Sequence, residues 1–179
     1  MAKLTGKRVA ILVDNYFEEA EFTGPLESLK KEGAQVDIVA PKVGTIHAMN
    51  HTKISDSYQA DRSIDDIRLD EYDALVLPGG AVNADCLRMN NKARLWVRRF
   101  LDLGKPVAAI CHAPWLLASS NMARGRKLTS YFTIQDDMRN AGADWVDEEV
   151  VVDDNLITSR NPGDVPAFSQ AIITKLQTA

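Results

Sequence analysis

Lys105-Pro-Val-Ala-Ala-Ile-Cys-His-Ala-Pro-Trp115 is the stretch whose reading decides the fold. Val107 to Ile110 is a short, uninterrupted apolar run, the pattern of a strand buried on both faces of a parallel sheet. Ala113, Pro114 and Trp115-Leu-Leu-Ala118 read as the start of a helix, with Pro in the first turn, where its missing N–H costs nothing. Cys111 and His112 stand between the two. A cysteine on a tight strand-to-helix turn is pushed out of the core, as a nucleophile on an elbow is. It also meets the positive end of a helix dipole, which favours thiolate over thiol. The competing reading is an inert buried thiol, since free cysteine is among the most buried residue types. His112 next to it is a candidate base and weights the functional reading.

Outward from this stretch, strands and helices alternate. Arg8-Val-Ala-Ile-Leu-Val-Asp14 is a second buried strand. The helix after it carries Glu18, Glu19 and Glu21 in its first turns, where carboxylates suit the dipole. Phe22, Leu26 and Leu29 are its apolar stripe, and Gly33 ends it. Val36 to Ala40 and Tyr72 to Leu77 are further strands. Pro78-Gly79-Gly80 closes the latter and lets the backbone approach a ligand or turn sharply. Asn83-Ala-Asp85 precedes a helix with Leu95, Val97, Phe100 and Leu101, ended by Gly104. Lys42 to Asp66 reads as irregular strands or a hairpin. Its His47 and His51 have helical metal-ligand spacing without a helix or a third ligand, so they read as solvated and no metal is expected. Beyond the elbow we expect a short strand at Leu128-Thr-Ser130 and a helix over residues 133–141. A hairpin with Val146, Val150–Val152 and Leu156–Ser159, turning at Asp153–Asn155, and a last helix capped by Pro162-Gly163-Asp164 follow. The pattern is one α/β domain, residues 1–179, with a mostly parallel sheet.

The totals suit such a domain: 179 residues, 45% hydrophobic and 26% charged, with a formal charge of −4. No cluster of Lys and Arg has the density of a nucleic-acid footprint, and no apolar stretch would span a bilayer. We read no signal peptide. With only Cys86 and Cys111, a disulfide framework is not expected and a reducing cytoplasm is the default setting.

Three strand ends therefore meet on one edge: Asn15–Glu18, Pro78–Asp85 and Cys111–His112. Cys111 is the candidate nucleophile and His112 the candidate base. The backbone N–H groups of Gly80 and His112 are candidate oxyanion donors, and Asp85 is a candidate carboxylate to orient His112. Glu18 would tune the thiol, favouring thiolate if protonated and opposing it if ionised. Cys86, one residue past Asp85, is a candidate resolving thiol; small helix-packing filler is the plainer reading.

With these pieces placed, the chain resembles the ThiJ/PfpI superfamily, in its PfpI-like group of intracellular proteases or amidases and general stress proteins. The resemblance rests on the order and spacing of several segments: Phe17-Glu18 with Glu21, Tyr72–Gly80, Gly104–Pro114, Arg124-Gly-Arg126, Thr129-Ser130, Asp137, Asn140-Ala-Gly142, Trp145-Val-Asp147, Val150–Val152 and Ser159–Asp164. It implies a flavodoxin-like three-layer sandwich similar to the class I glutamine amidotransferase domain. It implies Cys111 as nucleophile with Glu18 against its sulfur, and His112 with an acid, matched here by Asp85, contributed by a neighbouring subunit of a homodimer or larger homo-oligomer. Ala113 stands where the family usually has Gly. No cofactor is implied. The leading expectation is a stress-response cysteine hydrolase acting on peptides or amides. A deglycase or glyoxalase acting on methylglyoxal or its adducts comes next, then a redox-sensing, chaperone-like protein that uses oxidation of Cys111. Amidotransfer is excluded because no histidine follows residue 112.

Overall fold

The computed structural model describes residues 2–179. In chain order the regular elements are β1 (Arg8–Leu12), β2 (Phe17–Glu18), α1 (Glu19–Lys31), β3 (Gln35–Ala40), β4 (Gly44–Asn50), β5 (Lys53–Ala60), β6 (Arg62–Ser63) and β7 (Ala74–Leu77). Then come α2 (Ala81–Met89), α3 (Asn91–Asp102), β8 (Val107–Ile110), α4 (Trp115–Ser119), β9 (Lys127–Leu128), α5 (Gln135–Asn140), β10 (Asp144–Trp145), β11 (Val150–Asp153), β12 (Leu156–Ser159) and α6 (Val165–Thr178).

Seven strands form the central sheet in the order β11-β12-β8-β7-β1-β3-β6. β11 runs antiparallel to β12; the other neighbours are parallel. Side chains alternate across a strand, so each strand feeds two cores. In β1, Ala10 and Leu12 join Trp96, Val97 and Phe100 of α3 and Leu116 of α4 on one face. Val9 and Ile11 join Phe22 of α1 and Phe168 and Ile172 of α6 on the other. This is the flavodoxin-like three-layer sandwich. The all-apolar runs of β7 and β8, buried at every position, are what a strand covered on both faces requires.

The chain passes from β1 outward to β3, then returns to place β7 on the other side of β1. Strand order thus reverses between β1 and β7, which opens a crevice at their carboxyl ends. The loops after β1, β7 and β8 all issue there. β4 and β5 pair antiparallel, and β4 also pairs with β2, so this hairpin leans on the same edge.

Several local expectations change. Asn83 and Asp85 precede α3 as expected, but they lie within a separate helix, α2, which begins directly after Gly80. The strand expected at Leu128 pairs with β10, and Val146 follows β10 instead of joining the β11–β12 hairpin. Leu95 is exposed on α3, whose buried stripe is Ala93, Trp96, Val97, Phe100 and Leu101. On α1 the buried residues are Glu21, Phe22, Pro25 and Leu29, and Leu26 is only partly covered.

Candidate active site

The elbow is a backbone feature before it is a chemical one. Cys111 has φ 64°, in the left-handed region that costs a non-glycine residue about 1–2 kcal/mol. Three main-chain bonds hold it there: Cys111 N–H to Ser159 O at 3.1 Å, Tyr131 N–H to Cys111 O at 2.7 Å and Ala113 N–H to Ile110 O at 3.1 Å. Ala113 is buried in the core at an ordinary φ, so the methyl group where the family has Gly meets no backbone demand. Cys111 is 6% exposed and lines a cavity of about 630 Å³.

The glycine turn faces the thiol. Gly80 has φ 89°, and a Cβ on it would come within 2.7 Å of Tyr16 O and 2.8 Å of Glu18 N. Buried Asn83 fixes this turn by donating to Pro78 O at 3.0 Å and Gly79 O at 2.9 Å, while its Oδ1 accepts the Asp14 N–H at 2.6 Å. The N–H groups of Gly80 and His112 lie close enough to the Cys111 sulfur to favour its thiolate. Sequence reasoning assigned the same two N–H groups to a substrate oxyanion.

The carboxyl group against the sulfur belongs to Glu21, and this corrects the expectation for Glu18. Glu21 is fully buried; its Oε2 accepts the Gly79 N–H at 2.9 Å, and its carboxyl lies beside the Cys111 thiol. Its other oxygen, Oε1, has no further polar partner. Burial, then the nearby Glu18 charge, pushes Glu21 up to about 8, so it is mostly protonated at neutral pH. Burial also pushes the Cys111 thiol up, followed by the Glu21 charge, while the Gly80 and His112 N–H groups pull it down. A protonated Glu21 removes that charge and becomes a donor to the thiolate, so the pair is best described as sharing one proton. Glu18 lies one helical turn earlier, in β2, and its two oxygens accept the His51 N–H at 3.2 and 3.1 Å. The sequence held a signal for Glu21: it continues Pro25 and Leu29 backward at four-residue spacing, on the buried face of α1.

His112 Nδ1 lies 3.1 Å from Cys111 Sγ, so the adjacent side chains do meet. Its ring stacks on Tyr131 at 4.7 Å and meets Trp115 edge-on at 5.3 Å. Burial lowers its pKa and keeps it neutral, as a base must be. Trp115 is itself held by a 2.8 Å bond from Nε1 to Asp137 Oδ2. Asp85 does not join them. It is exposed on α2, outside the cavity lining, and within one chain it makes no bond to His112. Cys86 is likewise exposed, which excludes the packing-filler reading, and it too lies outside the cavity lining.

Sequence reasoning did not place Tyr131, Phe132 or the Asn161–Gly163 wall in the site, yet they complete the cavity. That wall is braced by Arg160, which bonds Asp164 through Nε at 2.9 Å and Nη2 at 3.0 Å, and Asp147 at 2.9 Å. His51, read as solvated, sits at the β4–β5 turn with φ 56° and lines the cavity.

Residues 7–175 match the DJ-1/PfpI family. The chain is 43% identical over 171 residues to Protein/nucleic acid deglycase 2 of Escherichia coli, covering 95% of this chain and 98% of that protein. It is 42% identical over 170 residues to Deglycase PfpI of Pyrococcus furiosus, covering 95% and 99% respectively. Among solved structures it superposes with a TM-score of 0.90, at 38% identity, on a two-domain protein of Anabaena variabilis with DJ-1/ThiJ/PfpI-like and ferritin-like domains. That match covers 95% of this chain and 48% of the other.

Proposed function

This chain belongs to the DJ-1/PfpI family, and on that footing we propose that it is a Cys111-dependent enzyme acting on small reactive carbonyl compounds and their early adducts with amines. The observation that carries this reading is the seating of the nucleophile. Cys111 is 6% exposed in a cavity of about 630 Å³, against a protonated carboxyl and a neutral imidazole. A two- or three-carbon aldehyde reaches such a thiol easily, whereas an extended peptide would have to enter by its scissile bond. The names of the two relatives, both deglycases, support the same class. The peptidase reading, which led on sequence grounds, therefore ranks second.

With methylglyoxal the steps balance without an oxidant. His112 takes the thiol proton; the sulfur adds to the aldehyde carbon and the carbonyl electron pair moves to its oxygen, which is reprotonated. In this reading the Gly80 and His112 N–H groups pass from the sulfur to that oxygen as it gains charge. The hemithioacetal then isomerises: its C–H proton leaves, an enediol forms, and protonation of the second carbon gives a thioester of lactate. Water cleaves the thioester and restores the thiol. An early amine adduct enters by exchange, a C–S bond forming as the C–N bond breaks and the amine leaving with the proton.

We further propose that a second copy of this chain completes the surroundings of His112 with Asp85. Asp85 is exposed, and Val82 and Met89 on the same helix are large exposed apolar residues, a composition suited to an interface.

The test sets wild type beside Cys111→Ser on methylglyoxal, on its N-acetyllysine adduct and on a peptide–fluorophore panel. Cys111-dependent turnover of the first two is expected. Peptide cleavage alone would restore the peptidase reading, and no turnover at all would remove both.

A further inference from the structure

Glu18 is not the residue against the thiol, yet it is 9% exposed and committed to a specific partner. Both of its oxygens hold the backbone N–H of His51, at 3.2 and 3.1 Å. The His51 Nδ1 lies 3.7 Å from Glu18 Oε1, and the imidazole itself is 75% exposed. His51 occupies a left-handed backbone position, φ 56°, uncommon for a residue other than glycine. The hairpin that carries it is pinned to the loop after β1. Tyr16 N–H donates to His47 O at 2.6 Å, His47 N–H donates to Asn15 Oδ1 at 3.0 Å, and Glu18 pairs with Met49 across β2 and β4. Everything in this corner serves to bring the hairpin tip to the cavity that also contains Cys111.

The chemistry leaves a task open there. Isomerising the hemithioacetal moves protons at two successive carbons. One leaves the carbon bonded to sulfur, and another must reach the oxygen of the next carbon as the enediol forms. His112, 3.1 Å from Sγ, is placed for the first carbon. Glu21 is occupied by the sulfur and Gly79. Of the two imidazoles that line the cavity, His51 is the one without a role at Cys111. A carboxylate–imidazole pair is what general acid–base catalysis uses, and within this chain the carboxylate backs His51 rather than His112.

We propose that His51 is a second proton-transfer residue of this site, giving a proton to the substrate oxygen remote from Cys111, where it stays as the product hydroxyl, and regaining one from the hydroxyl on the sulfur-bearing carbon as that becomes the thioester carbonyl, with Glu18 as its positioning residue. The electron pair of the C–H bond becomes the enediol double bond, the displaced carbonyl pair takes the His51 proton, and no other reactant enters. The inference rests on the carbonyl reading above, and it assigns a role to an exposed hairpin residue outside the Cys-His stretch.

The experiment compares wild type, His51→Ala and Glu18→Gln for turnover of methylglyoxal, with and without added imidazole, and for alkylation of Cys111 by iodoacetamide. Glu18→Gln keeps an oxygen for the His51 N–H, so the hairpin stays seated. For His51→Ala, kcat should fall by about a hundredfold with little change in KM, and imidazole should restore at least about tenfold of it, because the ring it replaces is open to solvent. Glu18→Gln should lower kcat less. Cys111 alkylation should remain near the wild-type rate in His51→Ala. Three results would overturn the proposal: His51→Ala within about twofold of wild type; a loss that imidazole does not repair; or a loss matched by slower Cys111 alkylation, which would mark a hairpin-seating role. Absence of Cys111-dependent turnover in wild type itself would instead end the carbonyl reading and take this inference with it.

Discussion

The Glu21 carboxyl accepts the Gly79 N–H at 2.9 Å, and this bond ties α1 to the glycine turn at the point where both face Cys111. A Cβ on Gly79 would press on Glu21 Oε2 and lie 2.5 Å from Cys111 Cβ. The thiol, the buried acid and the turn are therefore one packed unit, and changes to any of them should be felt by the other two.

Glu21 makes stability depend on pH in a calculable direction. Its pKa rises from 4.5 to about 8 on folding, so the native state holds a proton that the unfolded chain releases. The contribution is fully present below pH 4.5 and is lost as pH rises through about 8, amounting to about 5 kcal/mol at most. Glu21→Gln mimics the protonated acid. Its melting temperature should match wild type near pH 5 and exceed it by at least about 5 °C at pH 8.5. Calorimetry showing parallel curves at both pH values would mean that Glu21 ionises freely in the fold.

Gly79→Ala should displace Glu21 from the thiol. We expect at least about a hundredfold loss of kcat/KM, since Cys111 loses its neutral acid partner, together with a destabilisation of about 2 kcal/mol from overpacking. Gly80→Ala adds a left-handed φ to a clash with the Tyr16 and Glu18 backbone, and should be the less stable of the two by denaturant titration. Wild-type activity in Gly79→Ala would show that the thiol works without that contact.

Tyr131 presents its ring, not its hydroxyl, to His112. Tyr131→Phe should therefore keep activity within about twofold, whereas Tyr131→Ala should free the imidazole and lower kcat by about tenfold. Equal loss in both variants would place the hydroxyl, rather than the stack, in the reaction.

If Asp85 of a second copy supports His112, activity per chain should fall on dilution below the dissociation constant of the dimer. Asp85→Asn should then lower kcat by about tenfold while leaving the elution volume on size exclusion unchanged. Rates that are independent of concentration and of Asp85 would show a site complete in one chain.

Much of this architecture was legible in the sequence, because it depends on local rules. The buried strands β1, β7 and β8 read as apolar runs, and Gly80 and Cys111 sit at strand ends where a turn must follow. What was not legible depends on rotation about helix and strand axes. Glu18 and Glu21 differ by one turn of α1, and only the burial of Pro25 and Leu29 on the same side shows which of them faces inward. Val82 and Asp85 lie together on α2, but the start of that helix at Ala81 turns Asp85 outward. The His51 ring is solvent-exposed, as the sequence reading had it; what that reading could not show is its backbone contact with Glu18, 33 positions away. Ala113 shows the opposite case: a departure from the family pattern with no backbone consequence, since the left-handed residue of the elbow is Cys111.

The central claim is that Cys111 turns a small carbonyl compound into a hydroxy acid. Proton NMR of wild type and Cys111→Ser, each incubated with the methylglyoxal adduct of N-acetyllysine, measures it directly. The account predicts lactate and free N-acetyllysine accumulating together in equal amounts with wild type and neither above the enzyme-free rate with Cys111→Ser. Equal lactate from both proteins, or amine release without lactate, would contradict it.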